Sequence, residues 1–112
     1  MSVSVRPSGL TLTQTPGLVA VELMLPGDFE DGVTQIISDA SSADTSVATV
    51  DSLSTWQGDK VPGGTLRSSV RITPKGDGAT LVTVSVQLGA IPGPFETKTA
   101  TIGVVVHRST PT

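Results

Sequence analysis

The sequence predicts an all-β domain, a two-sheet sandwich of seven or eight antiparallel strands, and three observations predict it. Eight prolines and twelve glycines are spread through 112 residues, so evenly that a helix of three turns would be interrupted almost anywhere. Short segments alternate apolar with polar residues, which is the period of a half-buried strand. Turn clusters of Gly, Pro, Asp and Ser separate these segments at close intervals, as in sandwiches and small barrels. The sandwich is favoured over the barrel because the first strand is broken by a kink and can pass from one sheet to the other.

Residues 2–5 alternate and break at Arg6-Pro7-Ser8-Gly9, and residues 10–13 alternate again before Gln14-Thr15-Pro16-Gly17, which together read as one split strand. Residues 18–25 carry Val19, Val21, Leu23 and Leu25 on one face and Leu18 and Met24 on the other, predicting a central strand covered on both sides at one end. Pro26-Gly27 stops it, the acidic segment 28–32 is a loop, and 33–38 forms a third strand. A turn over 41–44 precedes a short fourth strand at 46–50. Residues 51–65 are the least regular part, an edge strand or a projecting loop. Leu66, Ser68, Val70 and Ile72 share one face of the next strand, and the turn Pro74-Lys75-Gly76-Asp77-Gly78 joins it to 79–88, the strongest hairpin signal in the chain. A turn at 89–94 leads to a last strand, 97–106, with Ala100, Ile102, Val104 and Val106 on one side and Thr99, Thr101, Gly103 and Val105 on the other, and 107–112 is a tail.

Only 15% of residues are charged, against roughly 25% in an average domain, so Ser and Thr cover much of the surface. Such a coat repels neighbours weakly and suits packing against copies or a large assembly, although Thr is also simply favoured in strands. The net charge is −3, and the seven Lys and Arg are scattered, which argues against nucleic acid as a partner. No apolar run approaches a membrane span, and the N-terminal residues lack the pattern of a secretory signal. With no cysteine, disulfides, thiolate metal sites and a cysteine nucleophile are excluded.

The segment Ser41-Ser42-Ala43-Asp44-Thr45-Ser46-Val47-Ala48-Thr49-Val50-Asp51 resembles the serine-rich turn and following strand of the bacterial immunoglobulin-like group 2 (Big2) domains. Gly78-Ala79-Thr80-Leu81-Val82-Thr83-Val84 and Lys98-Thr99-Ala100-Thr101-Ile102-Gly103-Val104-Val105-Val106 are similar to two later strands of that family, in the same order. Departures are Ile36 and Ile37, where the family usually has Trp, and residues 52–65, which read as an insertion. The resemblance implies an immunoglobulin-like fold and a structural or adhesive module, as found in bacterial surface proteins and in virions of tailed phages, with no catalytic residues.

The residues themselves point the same way. The one histidine, His107, lies beyond the last strand, without the orienting partner a catalytic base needs. Asp28-Phe29-Glu30-Asp31 is the only tight cluster of oxygen ligands and lacks the alternating loop of a Ca²⁺ site, so no metal or other cofactor is expected. Trp56, Phe29 and Phe95 are the only aromatics, and because Trp concentrates binding energy, Trp56 heads these three as the candidate partner-binding residues, the alternative being that it plugs the end of the core. The expected function is non-enzymatic: a capsid decoration protein on the virion surface, binding the major capsid protein through strand edges, the 52–65 loop or its ends, with self-association adding contacts. The alternative is a spacer or adhesive module of a bacterial cell-surface protein.

Overall fold

The computed structural model describes residues 2–27, 29–30, 32–90 and 95–107. Asp28 and Asp31 of the acidic loop, 91–94 of the expected turn at 89–94, and 108–112 of the expected tail lie outside the described residues. Among the described residues there are nine strands: β1 (Ser2–Arg6), β2 (Gly9–Leu12), β3 (Gly17–Met24), β4 (Thr34–Ser42), β5 (Ala48–Val50), β6 (Gln57–Gly58), β7 (Thr65–Pro74), β8 (Gly78–Ala90) and β9 (Glu96–Val106). One sheet runs β1-β3-β7-β5 with β6 also paired to β7, and the other runs β2-β9-β8-β4.

The split first strand changes sheets as expected. Pro7 has no N–H for a ladder and ends β1, after which β2 joins the second sheet and runs parallel to β9, from Gly9 beside Gly103 to Leu12 beside Val106. This is the one parallel pair among the described strands, since a chain that continues in its own direction across the sandwich meets β9 running the same way.

Alternation places the core. Val19, Val21 and Leu23 of β3 and Leu66, Val70 and Ile72 of β7 face Val82, Val84 and Val86 of β8 and Ile102, Val104 and Val106 of β9, and all are at most 1% exposed. Each such side chain contributes about 1.5–3 kcal/mol of transfer free energy.

Several sequence expectations are corrected. Residues 66–73 and 79–88 do not form a hairpin: β7 and β8 lie in opposite sheets, so the turn at Pro74–Gly78 crosses the sandwich. Both strands are buried along one face, and those faces meet across the core instead of lying edge to edge. The true hairpin is β8–β9, with Leu88 opposite Glu96 and Gly78 opposite Val106. The outer side of β3 is uncovered, leaving Leu18 at 68% and Met24 at 50% exposure. The third strand extends through Ser42, because Ser41 and Ser42 pair with Thr83 and Val82 before the chain turns. The N-terminal segment is no free arm: Ser2–Arg6 is paired to β3 along its whole length.

The register also sets the two poles. Ser2 is opposite Met24, which is opposite Thr65, and these three mark one end of the first sheet. Pro74 ends β7 at the other pole, where the chain turns into Gly78, the partner of Val106. The chain therefore enters at one end and leaves β9 at the opposite end of a body measuring 57 × 23 × 17 Å.

Candidate interaction site

Between β5 and β7 the chain lies along the side of the sandwich as a strap. Ser54 anchors it: its N–H donates to Ser69 O at 3.0 Å, the Ser68 hydroxyl donates to Ser54 O at 2.7 Å, and Ser69 N–H donates to Ser54 Oγ at 3.1 Å. Ser68 lies on the face of β7 that it shares with Leu66, Val70 and Ile72, and that face points inward. It is buried, and the hydrogen bond to the strap is what makes a hydroxyl tolerable there. The strap closes with the two-residue β6, paired to Arg67 and Leu66. Gly58 holds φ 131°, and a Cβ there would collide with the Thr65 carbonyl oxygen and the Leu66 backbone.

The strap carries Leu53 and Trp56 against the core. A second loop delivers Phe29: its N–H donates to Pro26 O at 3.2 Å, and the tight turn folds the ring inward until it is 3% exposed. Between these residues and the free edge of β4 lies an open groove of about 610 Å³, lined by Phe29, Ile36, Ser38, Leu53, Trp56 and Lys60 among others. Two of the three candidate aromatics, Phe29 and Trp56, thus meet at one groove. Phe95 does not line it and sits half-buried just ahead of β9. Trp56 is half-buried along the side of the sandwich, and its Nε1–H is shielded from solvent with no hydrogen-bond partner. Phe29 serves as core beneath the groove and is not an exposed anchor, because the Pro26 turn buries it.

A second hollow, about 620 Å³ and almost wholly apolar, lies on the outer face of the β2-β9-β8-β4 sheet. Gly9 and Gly103 sit side by side in it, flanked by Leu81, 54% exposed, and Val105, 36% exposed. The alternating pattern of β8 marked Leu81 as part of a strand but did not reveal its outward face.

Titratable groups are dispersed. Among the described residues no group of three or more His, Asp or Glu could hold a metal. Asp44 organises the turn after β4: Ser46 Oγ donates to Asp44 Oδ1 at 2.5 Å and Ser46 N–H donates to the same oxygen at 3.0 Å. These two bonds hold the Asp44 carboxyl below the ordinary aspartate value. His107 lies at the far pole, its N–H donating to Leu12 O at 2.9 Å. Arg67 and Glu22 form an exposed pair at 3.6 Å, a contact that contributes little in water. The arrangement offers hydrogen-bonding edges and apolar hollows, which are features of association.

No protein-family model matches the chain, and no curated protein does. The likeness to Big2 domains therefore rests on its three segments alone. Solved structures do match. Domains 4 and 5 of the S-layer protein SbsC align with a TM-score of 0.54 at 18% identity, over 95% of this chain and 44% of theirs. The ASH / PapD-like domain of human CEP192 aligns with a TM-score of 0.53 at 14% identity, over 97% of this chain and 87% of that one. The fold is an immunoglobulin-like β-sandwich. The chain spans less than half the length of the S-layer structure it matches.

Proposed function

We propose that this chain is a structural module of a bacterial cell-surface protein, acting as a spacer that also offers side surfaces for adhesion. The observation that carries the reading is the placement of its ends: Ser2 and Val106 lie at opposite poles of an elongated body. A domain that takes in the chain at one pole and releases it at the other adds its long dimension to whatever precedes and follows it. The structural likeness to two domains of an S-layer protein supports the same reading. In cells that carry the protein, antibody labelling of intact cells should decorate the surface, and external protease should remove the signal. Labelling that appears only after lysis, with none on the surface, would sink the proposal.

The decoration of a phage capsid is the second reading. It draws on the outer face of the four-stranded sheet, where Thr83 and Ser85 pair with Thr101 and Thr99 beside the single carboxylate of Asp39 and offer hydroxyls to a large shell with little charge repulsion. Here the expected partner is the major capsid protein, and the expected result is co-sedimentation with capsids that lack the chain.

A further inference from the structure

Natural sheet edges are guarded by shortness, Pro, Lys or bulges, because an open row of backbone N–H and C=O groups invites another strand. Here β1 stops at Pro7, β2 has four residues, and β5 and β6 have three and two. The exception is β4. Its nine residues, Thr34–Ser42, contain no Pro, Gly, Lys or Arg, and it is paired on one side only.

The ladder identifies the backbone groups facing outward. Ala43 N–H donates to Leu81 O at 2.9 Å, so residues 35, 37, 39 and 41 of β4 likewise bond β8, and the even-numbered residues turn their groups to the open side. Two of these N–H groups are already satisfied: Thr34 donates to Glu30 O at 2.8 Å and Ala40 donates to Asp39 Oδ1 at 2.9 Å. Between them stand Ile36 and Ser38, one on each side of Ile37, with their N–H groups unpaired.

We propose that two copies of the chain associate edge to edge, β4 antiparallel to β4, about a twofold axis at Ile37. Each Ile36 then exchanges both backbone hydrogen bonds with Ser38 of the second copy, satisfying the Ile36 and Ser38 N–H groups of both copies. Ile37, 47% exposed in the single chain, meets its own copy at the close, non-hydrogen-bonded position on the outer face. Asp39 falls opposite Gln35, whose amide can donate to it. Ile36 of the second copy arrives beside Ser38, on the side of the sheet where Ser38 lines the Trp56 groove. Neighbouring registers fail. Centring on Ile36 or Ser38 pairs a free N–H strand position with Thr34 or Ala40, whose N–H groups are taken, and centring on Asp39 sets two carboxylates against each other.

Light scattering on a size-exclusion column tests this. The unaltered chain should show twice the 11.4 kDa of a single copy, falling to one copy on dilution. Ile37→Lys, at an exposed position, should keep the circular dichroism of the parent and run as a single copy, whereas Leu81→Lys on the same face should remain paired. The absence of native cysteine permits a register test. Ile37→Cys should form an interchain disulfide on mild oxidation, since Cα atoms at such a position are about 4.5 Å apart. Asp39→Cys should not, its two copies lying roughly 13 Å apart along the strands. A chain that remains single at its highest soluble concentration, a folded Ile37→Lys variant that still pairs, or equal crosslinking of the two cysteine variants would each overturn the proposal.

Discussion

Trp56→Phe should leave the fold as stable as before or more so, which is opposite to the usual result of trimming a packed aromatic. The indole Nε1–H is out of solvent and without an acceptor, and an unsatisfied buried donor costs about 1–3 kcal/mol. Phenylalanine removes that donor. It also removes the equivalent of one or two methylenes, at about 0.8 kcal/mol each when fully buried. Because Trp56 is only half-buried, roughly half of that, about 0.4–0.8 kcal/mol, is lost. The balance is a gain of about 0.2–2.6 kcal/mol. Trp56→Ala provides the contrast: it removes the same donor but also loses the whole ring's contacts with the core, about 1.5–2.5 kcal/mol at half burial, so it should be less stable than Trp56→Phe. Urea unfolding should be followed by far-ultraviolet circular dichroism, since the substitution removes the only tryptophan. A loss above about 0.5 kcal/mol in Trp56→Phe would refute the reasoning, because it would mean that the N–H is satisfied in solution.

Three further outcomes follow from the same contacts. Gly58→Ala should destabilise by about 1–3 kcal/mol in thermal unfolding, since its φ of 131° and the Thr65 carbonyl leave no room for a methyl group. Ser68→Ala should cost about 1 kcal/mol and speed hydrogen exchange of the Ser69 amide, because the strap loses the bond from the Ser68 hydroxyl to the Ser54 carbonyl while β3 keeps its protection. The Asp44 carboxyl titrates below its unfolded value, so its contribution is complete above the ordinary aspartate pKa and is lost as pH falls through the folded one; Asp44→Asn should flatten the acid side of the stability-versus-pH curve, measured by urea midpoints from neutral pH downward.

Strand positions were largely legible in the sequence, and sheet membership only at the kinked first strand. Alternation showed that Leu66, Ser68, Val70 and Ile72 share a face, and that Val82, Val84 and Val86 share another, because side chains on a strand follow period two whatever the neighbour. The pattern is blind to whether two such faces lie side by side or across a core, and the glycine-rich turn after Pro74 has the same local signature in either case. The candidate site was legible only in part. Aromatic scarcity directed attention to Trp56 and Phe29, which do share a groove, but Phe95 has the same composition signal and lies elsewhere. Distance between loops is a tertiary fact that no local pattern carries.

The sequence did hold a signal for the open edge, in what residues 34–42 lack. Three of the four sheet margins are made of short strands or end at a proline, while β4 runs nine residues whose one guarding residue is Asp39. An elongated module whose ends lie at its poles leaves its long sides as the surfaces that neighbours can reach. A lightly guarded edge on such a side is a cost to solubility wherever the module stands alone, and is relieved where modules stand next to one another. The satisfied N–H groups at Thr34 and Ala40 limit that edge to a two-residue ladder centred on Ile37. Four hydrogen bonds and one apolar contact make a weak lateral joint, so single chains pair only at high concentration and many modules held in parallel pair far more tightly. Lateral pairing should consequently be far tighter between tethered arrays than between single domains. A fusion of several copies joined pole to pole should associate side by side at concentrations where the single chain is mostly unpaired, and Ile37→Lys in every copy should abolish this. If arrays and single chains associate with the same midpoint, the joint does not act additively along the module's side.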